Sequence, residues 1–204
     1  MRAFGGFFQG WNLVIATFIG VLAMFLGIFI SADGSAEALS LIIRITVRPA
    51  IVFFSLAFTA SALFRMWPNA FTRWQMKNRR YLGLSFATSH LLHAAALIVW
   101  GVMYPDLFLT RTNIIVWVGG GIGYFFVVTM AATSFDSAVR WMGARKWSLL
   151  HTVGSYYLWT VFTLGIVGRS IVDPFYYPFA AFIVSTLLIR IAARFAGRTK
   201  LAAA

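Results

Sequence analysis

The 204-residue chain contains no cysteine, which excludes disulfides, thiolate-held iron–sulfur clusters and cysteine nucleophiles. Acids are scarce too: five Asp and Glu stand against 17 Lys and Arg, and charged residues make up 11% of the chain. Histidine occurs three times, as His90, His93 and His151. Metal chemistry is therefore left to imidazole, thioether and a few carboxylates. No G-x-G-x-x-G follows a strand-like run, so no dinucleotide-binding unit is encoded. No carboxylate is spaced to orient a buried histidine as a hydrolase requires. The intramembrane acids and inverted repeat of a transporter are missing as well.

Apolar residues fill the space: 61% of the chain is hydrophobic, and the excess is spread over nearly its whole length. That composition fits an integral membrane protein and not a water-soluble globule. Runs of about 20 apolar residues predict six helices at residues 11–30, 49–66, 81–103, 113–132, 148–168 and 174–191. Short connections make them one all-α, antiparallel bundle, with residues 1–204 as a single domain. The first run is long for a signal-peptide core and suits a span. Asp173-Pro174 and Thr112-Asn113 read as helix starts, with Asp or Asn as N-cap and Pro at the first helical position.

Counting charges by side orients the bundle. One side carries Arg2, Arg65, Arg73, Lys77, Arg79, Arg80, Arg140, Arg145, Lys146, Arg190, Arg194, Arg198 and Lys200 against Asp136 alone. The other balances Arg44, Arg48, Arg111 and Arg169 with Asp33, Glu37, Asp106 and Asp173. The positive-inside rule predicts both termini in the cytoplasm, and it accounts for the +12 charge better than a nucleic-acid partner does. Trp67, Trp74, Trp141 and Trp147 at one set of ends, and Tyr104, Tyr176 and Tyr177 at the other, read as interfacial anchors. Gly119-Gly120-Gly121 and Gly123 read as a close helix contact.

Ionisable groups at membrane depth are costly and usually functional. His90 and His93 lie about 60° apart on one helix, one turn apart in depth. His151 starts a parallel helix, and imidazoles on two helices suit a b-type haem. Depth complicates that pairing: at 1.5 Å per residue His93 lies about 20 Å beyond Arg80, whereas His151 lies about 8 Å beyond Lys146. His90 narrows the offset to about 7 Å by the same rise, within reach of helix tilt.

Arg79-Arg80-Tyr81-Leu82-Gly83-Leu84 with His93 ten residues after the glycine, and Thr133-Ser134 through Arg140, Gly143 and Trp147 to Leu150-His151, resemble the ferric reductase-like transmembrane domain family. The similarity is greatest to its MsrQ-type haem-binding subunits and more distant to the STEAP and NADPH oxidase cores; with Arg48 it covers about residues 48–163. It implies a six-helix core, His93 as an outer haem ligand, His151 as an inner one, and a bacterial inner membrane. The family's outer partner would fall at Leu164, which cannot bind iron. Three arrangements follow: His151 paired with His90 or His93, His151 opposite Arg79 or water, or no haem.

The expected function is thus a subunit carrying one haem b that passes electrons across or within the bilayer. It is an oxidoreductase component dependent on redox partner proteins; flavin is conceivable, though no residue pattern supports it. The alternative is a redox-inactive accessory subunit of the same fold.

Overall fold

The computed structural model describes residues 8–202. In chain order its helices are α1 (Trp11–Ser31), α2 (Ala36–Met66), α3 (Ala70–Lys77), α4 (Arg79–Met103), α5 (Pro105–Arg111), α6 (Ile114–Ala132), α7 (Asp136–Met142), α8 (Ala144–Val172) and, after a 3-10 turn at Pro174–Tyr176, α9 (Tyr177–Ala202). No strand occurs among the described residues. Four helices, α1, α2, α4 and α6, together with the Pro174–Ala196 stretch, are long and apolar enough to cross a bilayer. The chain is accordingly an all-α membrane protein. The fifth predicted run, at 148–168, lies within the 29-residue α8. Thr152, Ser155, Tyr156, Tyr157, Thr160 and Thr163 dilute its apolar character, and α8 falls outside that set of five.

Contacts between helix ends fix an up-and-down arrangement. At one end Gly10 N–H donates to Asn78 Oδ1 at 2.9 Å, the Trp11 ring packs against Tyr81 and Phe135, and Arg80 pairs with Asp136. This basic end therefore gathers the starts of α1, α4 and α7. At the opposite end Tyr104 O–H donates to Gly34 O at 3.1 Å, and Arg48 lies over the Phe175 and Phe179 rings. α2 is the hub, packed most extensively on α4 and next on α9, while α8 packs on α6 and α9. The core between them is aromatic and aliphatic: Phe54, Phe58, Phe86, Val127, Leu158, Phe162 and Ile183 are all buried.

Three expectations change on contact with the structure. The second helix starts at Ala36 rather than Pro49, because Ser35 Oγ accepts from Ala38 N–H and Glu37 occupies the favourable first turn. Pro49 is carried inside the helix, where it leaves Ile45 O without its usual donor four residues on; close by, Ser89 Oγ donates to Thr46 O and His93 Nδ1 lies 3.0 Å from Ile43 O. The glycine run on α6 is a helix contact only at Gly123, where a Cβ would lie 3.7 Å from Leu158 and 3.9 Å from Tyr157 of α8; a Cβ on Gly119, Gly120 or Gly121 would meet nothing within 4 Å. The close approach is at Gly154 of α8, where a Cβ would come 2.5 Å from Met130 Sδ and 2.9 Å from the Phe126 ring. Trp147 does not serve as a lipid anchor; its ring stacks on His151 and its Nε1–H donates to Thr133 O. Asp173 and Asn113 cap as expected, through Phe175 N–H and Val116 N–H. Arg2 lies outside the described residues, as do the side chains of Arg198 and Lys200.

Gly154→Val should overpack the α6–α8 contact and cost about 1–3 kcal/mol, whereas Gly120→Ala, whose methyl meets nothing, should stabilise by about 0.4–1 kcal/mol. Thermal unfolding of the two detergent-purified variants checks this.

Candidate functional site

α4 and α8, the two histidine-bearing helices, do not form a major backbone contact. Side chains occupy the gap, and Phe54, Phe86 and Phe162 meet there ring to edge with centroids 5.3–5.9 Å apart. Edge-to-face packing of this kind is favourable beyond its area burial. A cavity lies on either side of the block. The larger, about 460 Å³, opens toward the basic end and is lined by His151, Arg79, Arg80, Arg190, Trp147, Met130 and the hydroxyls of Ser148, Thr152 and Ser155. The smaller, about 180 Å³, is lined by His93 with Arg44, Arg48, Arg169 and Tyr176 toward the opposite end.

His151 stacks on Trp147 with ring centroids 4.3 Å apart, and its Nε2 lies 3.1 Å from Thr133 Oγ1. Thr133 already donates its hydroxyl proton to Thr129 O at 2.7 Å, so it accepts from His151 Nε2–H. Nδ1 is then the lone-pair nitrogen of the neutral ring. His93 has the opposite tautomer. Its Nδ1 faces Ile43 O at 3.0 Å and Thr46 Oγ1 at 3.3 Å, and a carbonyl can only accept, which leaves Nε2 with the lone pair. A ring nitrogen tied to a carbonyl or hydroxyl is the usual way a protein orients a metal-binding imidazole.

His90 differs from both. It is buried in a stack of rings, 5.3 Å from His93, 4.9 Å from Tyr124 and 5.6 Å from Phe86, and its Nδ1 has no hydrogen-bond partner. His90 and His93 are thus brought together, while His151 stands in the other cavity beyond the Phe54–Phe86–Phe162 block. The depth offset read from the sequence is expressed as two separate cavities.

Arg79 joins His151 in the larger one, with its Nε donating to Ala57 O at 3.3 Å. Leu164 is 70% exposed on the outer surface of α8. A residue 13 positions beyond His151 is rotated by about 140° from it, whereas one 14 positions beyond returns to within about 40°. That second position is Gly165, which lines the smaller cavity.

Sequence reasoning assigned Arg190 to topology, and the structure turns it inward. Its Nη1 donates to Phe58 O at 2.6 Å, its Nε to Tyr156 Oη at 3.3 Å, and its guanidinium carbon lies 4.2 Å from the Phe58 ring centroid. An arginine inside the last apolar run was the available signal. Arg44, Arg48 and Arg169 likewise read as topology from sequence, though all three line the His93 cavity. Among the described residues, no three His, Cys, Asp or Glu side chains group as a polydentate metal centre. No protein-family model, curated protein or solved structure matches the chain.

His90→Phe should preserve or raise the melting temperature, since it removes a buried unpartnered nitrogen from an all-ring environment. His93→Phe should lower it by stripping a partner from Ile43 O and Thr46. Comparing the two variants' melting curves tests the assignment.

Proposed function

We propose that this chain is a membrane electron-transfer subunit carrying one haem b in the larger cavity, with His151 as the protein ligand to iron. The observation that carries the reading is the coincidence of an oriented imidazole, a bundle-internal cavity and basic side chains at the cavity's mouth. The cavity's volume falls in the roughly 300–1,000 Å³ range of cofactor-sized pockets; the His93 cavity lies below it. Phe54, Phe58, Phe86 and Val127 supply apolar walls for a macrocycle, Arg79 and Arg190 supply cations for its acidic edge, and Thr133 orients the imidazole. The same walls carry the Met130 thioether, a ligand type that would be available to the iron besides His151 and that pairs with histidine in cytochromes. Bound there, the iron would take up and release single electrons. The protein's share of that task is to exclude bulk water, hold the imidazole and fix the cofactor's depth.

The same reading makes α8 the sixth span and places the basic end in the cytoplasm. The basic residues at the starts of α4 and α8 support that orientation by the positive-inside rule. On this reading the electron donor and acceptor are separate molecules, redox proteins among them. The resemblance to MsrQ-type subunits favours a bacterial inner membrane.

Protein expressed with haem supplementation and purified in detergent should show a Soret band. His151→Ala should abolish it, and His93→Ala should leave it in place. A colourless preparation would favour a redox-inactive accessory subunit, and loss of the band in His93→Ala instead of His151→Ala would move the cofactor to the other cavity. For orientation, a green fluorescent protein fused to the C-terminus should fluoresce, and alkaline phosphatase fused there should be inactive. The reverse pattern would overturn the cytoplasmic assignment.

A further inference from the structure

The two cations at the mouth of the larger cavity are held unlike ordinary topology residues. Arg79 Nε and Arg190 Nη1 bond to consecutive carbonyls of α2, those of Ala57 and Phe58, at 3.3 and 2.6 Å. Their guanidinium groups are therefore neighbours. Arg190 is further gripped between the Phe58 and Tyr156 rings, 4.2 and 5.0 Å from their centroids, distances at which the ring quadrupole attracts a cation. A side chain reaching for bulk water would not be anchored in this way.

No carboxylate neutralises the pair. Asp136 is the one acid lining the cavity and is engaged by Arg80, the single ion pair among the described residues. Each guanidinium has five N–H donors. Their bonds to Ala57 O, Phe58 O and Tyr156 Oη take one from Arg79 and two from Arg190, so both retain donors. Two adjacent like charges beside an apolar cavity repel more strongly than they would in water, and an anionic ligand offsets that repulsion. Further in, the walls turn apolar at Phe54, Phe86 and Val127. The matching ligand has an apolar body and two anionic groups on one edge.

We infer that Arg79 and Arg190 form a clamp for two carboxylates, which on the haem reading above, on which this rests, are the two propionates of haem b, held at the basic mouth of the cavity. The guanidinium fork suits carboxylate geometry better than a lysine ammonium does. Cofactor depth is then set by the two arginines, with His151 completing the fixation. A consequence is selectivity for the free diacid over its neutral ester.

Titrating the haem-free protein in detergent with haem b and with haem dimethyl ester, followed by Soret absorbance, tests this. Wild type should bind haem b at least about tenfold more tightly than the ester. Arg79→Gln and Arg190→Gln should each shrink that ratio, and Arg190→Lys should restore it only in part. Arg79→Gln guards against misfolding of the Arg190 variants, because Arg79 sits at the exposed start of α4. Equal binding of acid and ester by wild type, or an unchanged ratio in the Gln variants, overturns the clamp while leaving haem binding intact. If neither porphyrin binds, the haem reading falls and the clamp with it. Native mass spectrometry showing phosphatidylglycerol, but not phosphatidylcholine, retained through these arginines would identify the anion as a lipid phosphate and also overturn the propionate assignment.

Discussion

Phe54, Phe86 and Phe162 meet edge to face in the space between α4 and α8, and they hold those helices apart while closing the middle of the gap. Had the gap been filled along its length, the bundle would have no internal cavity. Had it been left open, His151 and His93 would face one continuous void. The ring block creates two compartments of unequal size, each reached from a different end and each walled by one oriented imidazole. His90 belongs to the block itself, one ring among Phe86, Tyr124 and Phe162.

Acid scarcity governs how the polar groups near this block are satisfied. A buried charge normally finds an opposite charge, but five acids cannot serve 17 bases. The chain uses carbonyls, hydroxyls and ring faces instead. Arg190 rests on Phe58 O, Tyr156 Oη and the Phe58 ring; His93 rests on Ile43 O; His151 rests on Thr133. Such partners orient a side chain without cancelling its charge or using up its donors. The same economy leaves Arg44, Arg48 and Arg169 around His93 without a carboxylate within ion-pair distance.

Much of this was legible in sequence, for identifiable reasons. Apolar run length located the helices, because a bilayer sets a minimum length. Asp173 and Asn113 marked helix starts, because capping is local chemistry. Residue rise along a helix by itself separates His93 from His151 in depth. What failed depended on neighbours distant in the chain. Pro49 reads as a boundary until the packing of α4 and α9 on α2 carries the helix through it. Gly119, Gly120 and Gly121 read as a contact until Gly154 takes that role against Met130 and Phe126. Trp147 reads as an anchor until His151 lies beneath it.

The least apolar of the six long helices carries the most of the candidate site, and the two facts have one cause. Ser148, His151, Thr152 and Ser155 line the larger cavity, and Val161, Phe162, Gly165, Ile166 and Arg169 line the smaller. Their spacing at three and four residues keeps them on a single stripe of α8. Leu149, Val153, Leu164 and Ile171 stay exposed on the remaining surface, where a bilayer would meet them. Polar residues on the inward stripe lower the helix's apolarity, and exposed Thr160 returns its hydroxyl to Tyr156 O. For this helix a weak span signal is thus what a cavity-lining role requires. A ligand to anything between α4 and α8 must fall on the stripe, and Leu164 lies off it. A position 13 residues beyond His151 is therefore no ligand position on this α8 as folded, whatever residue stands there.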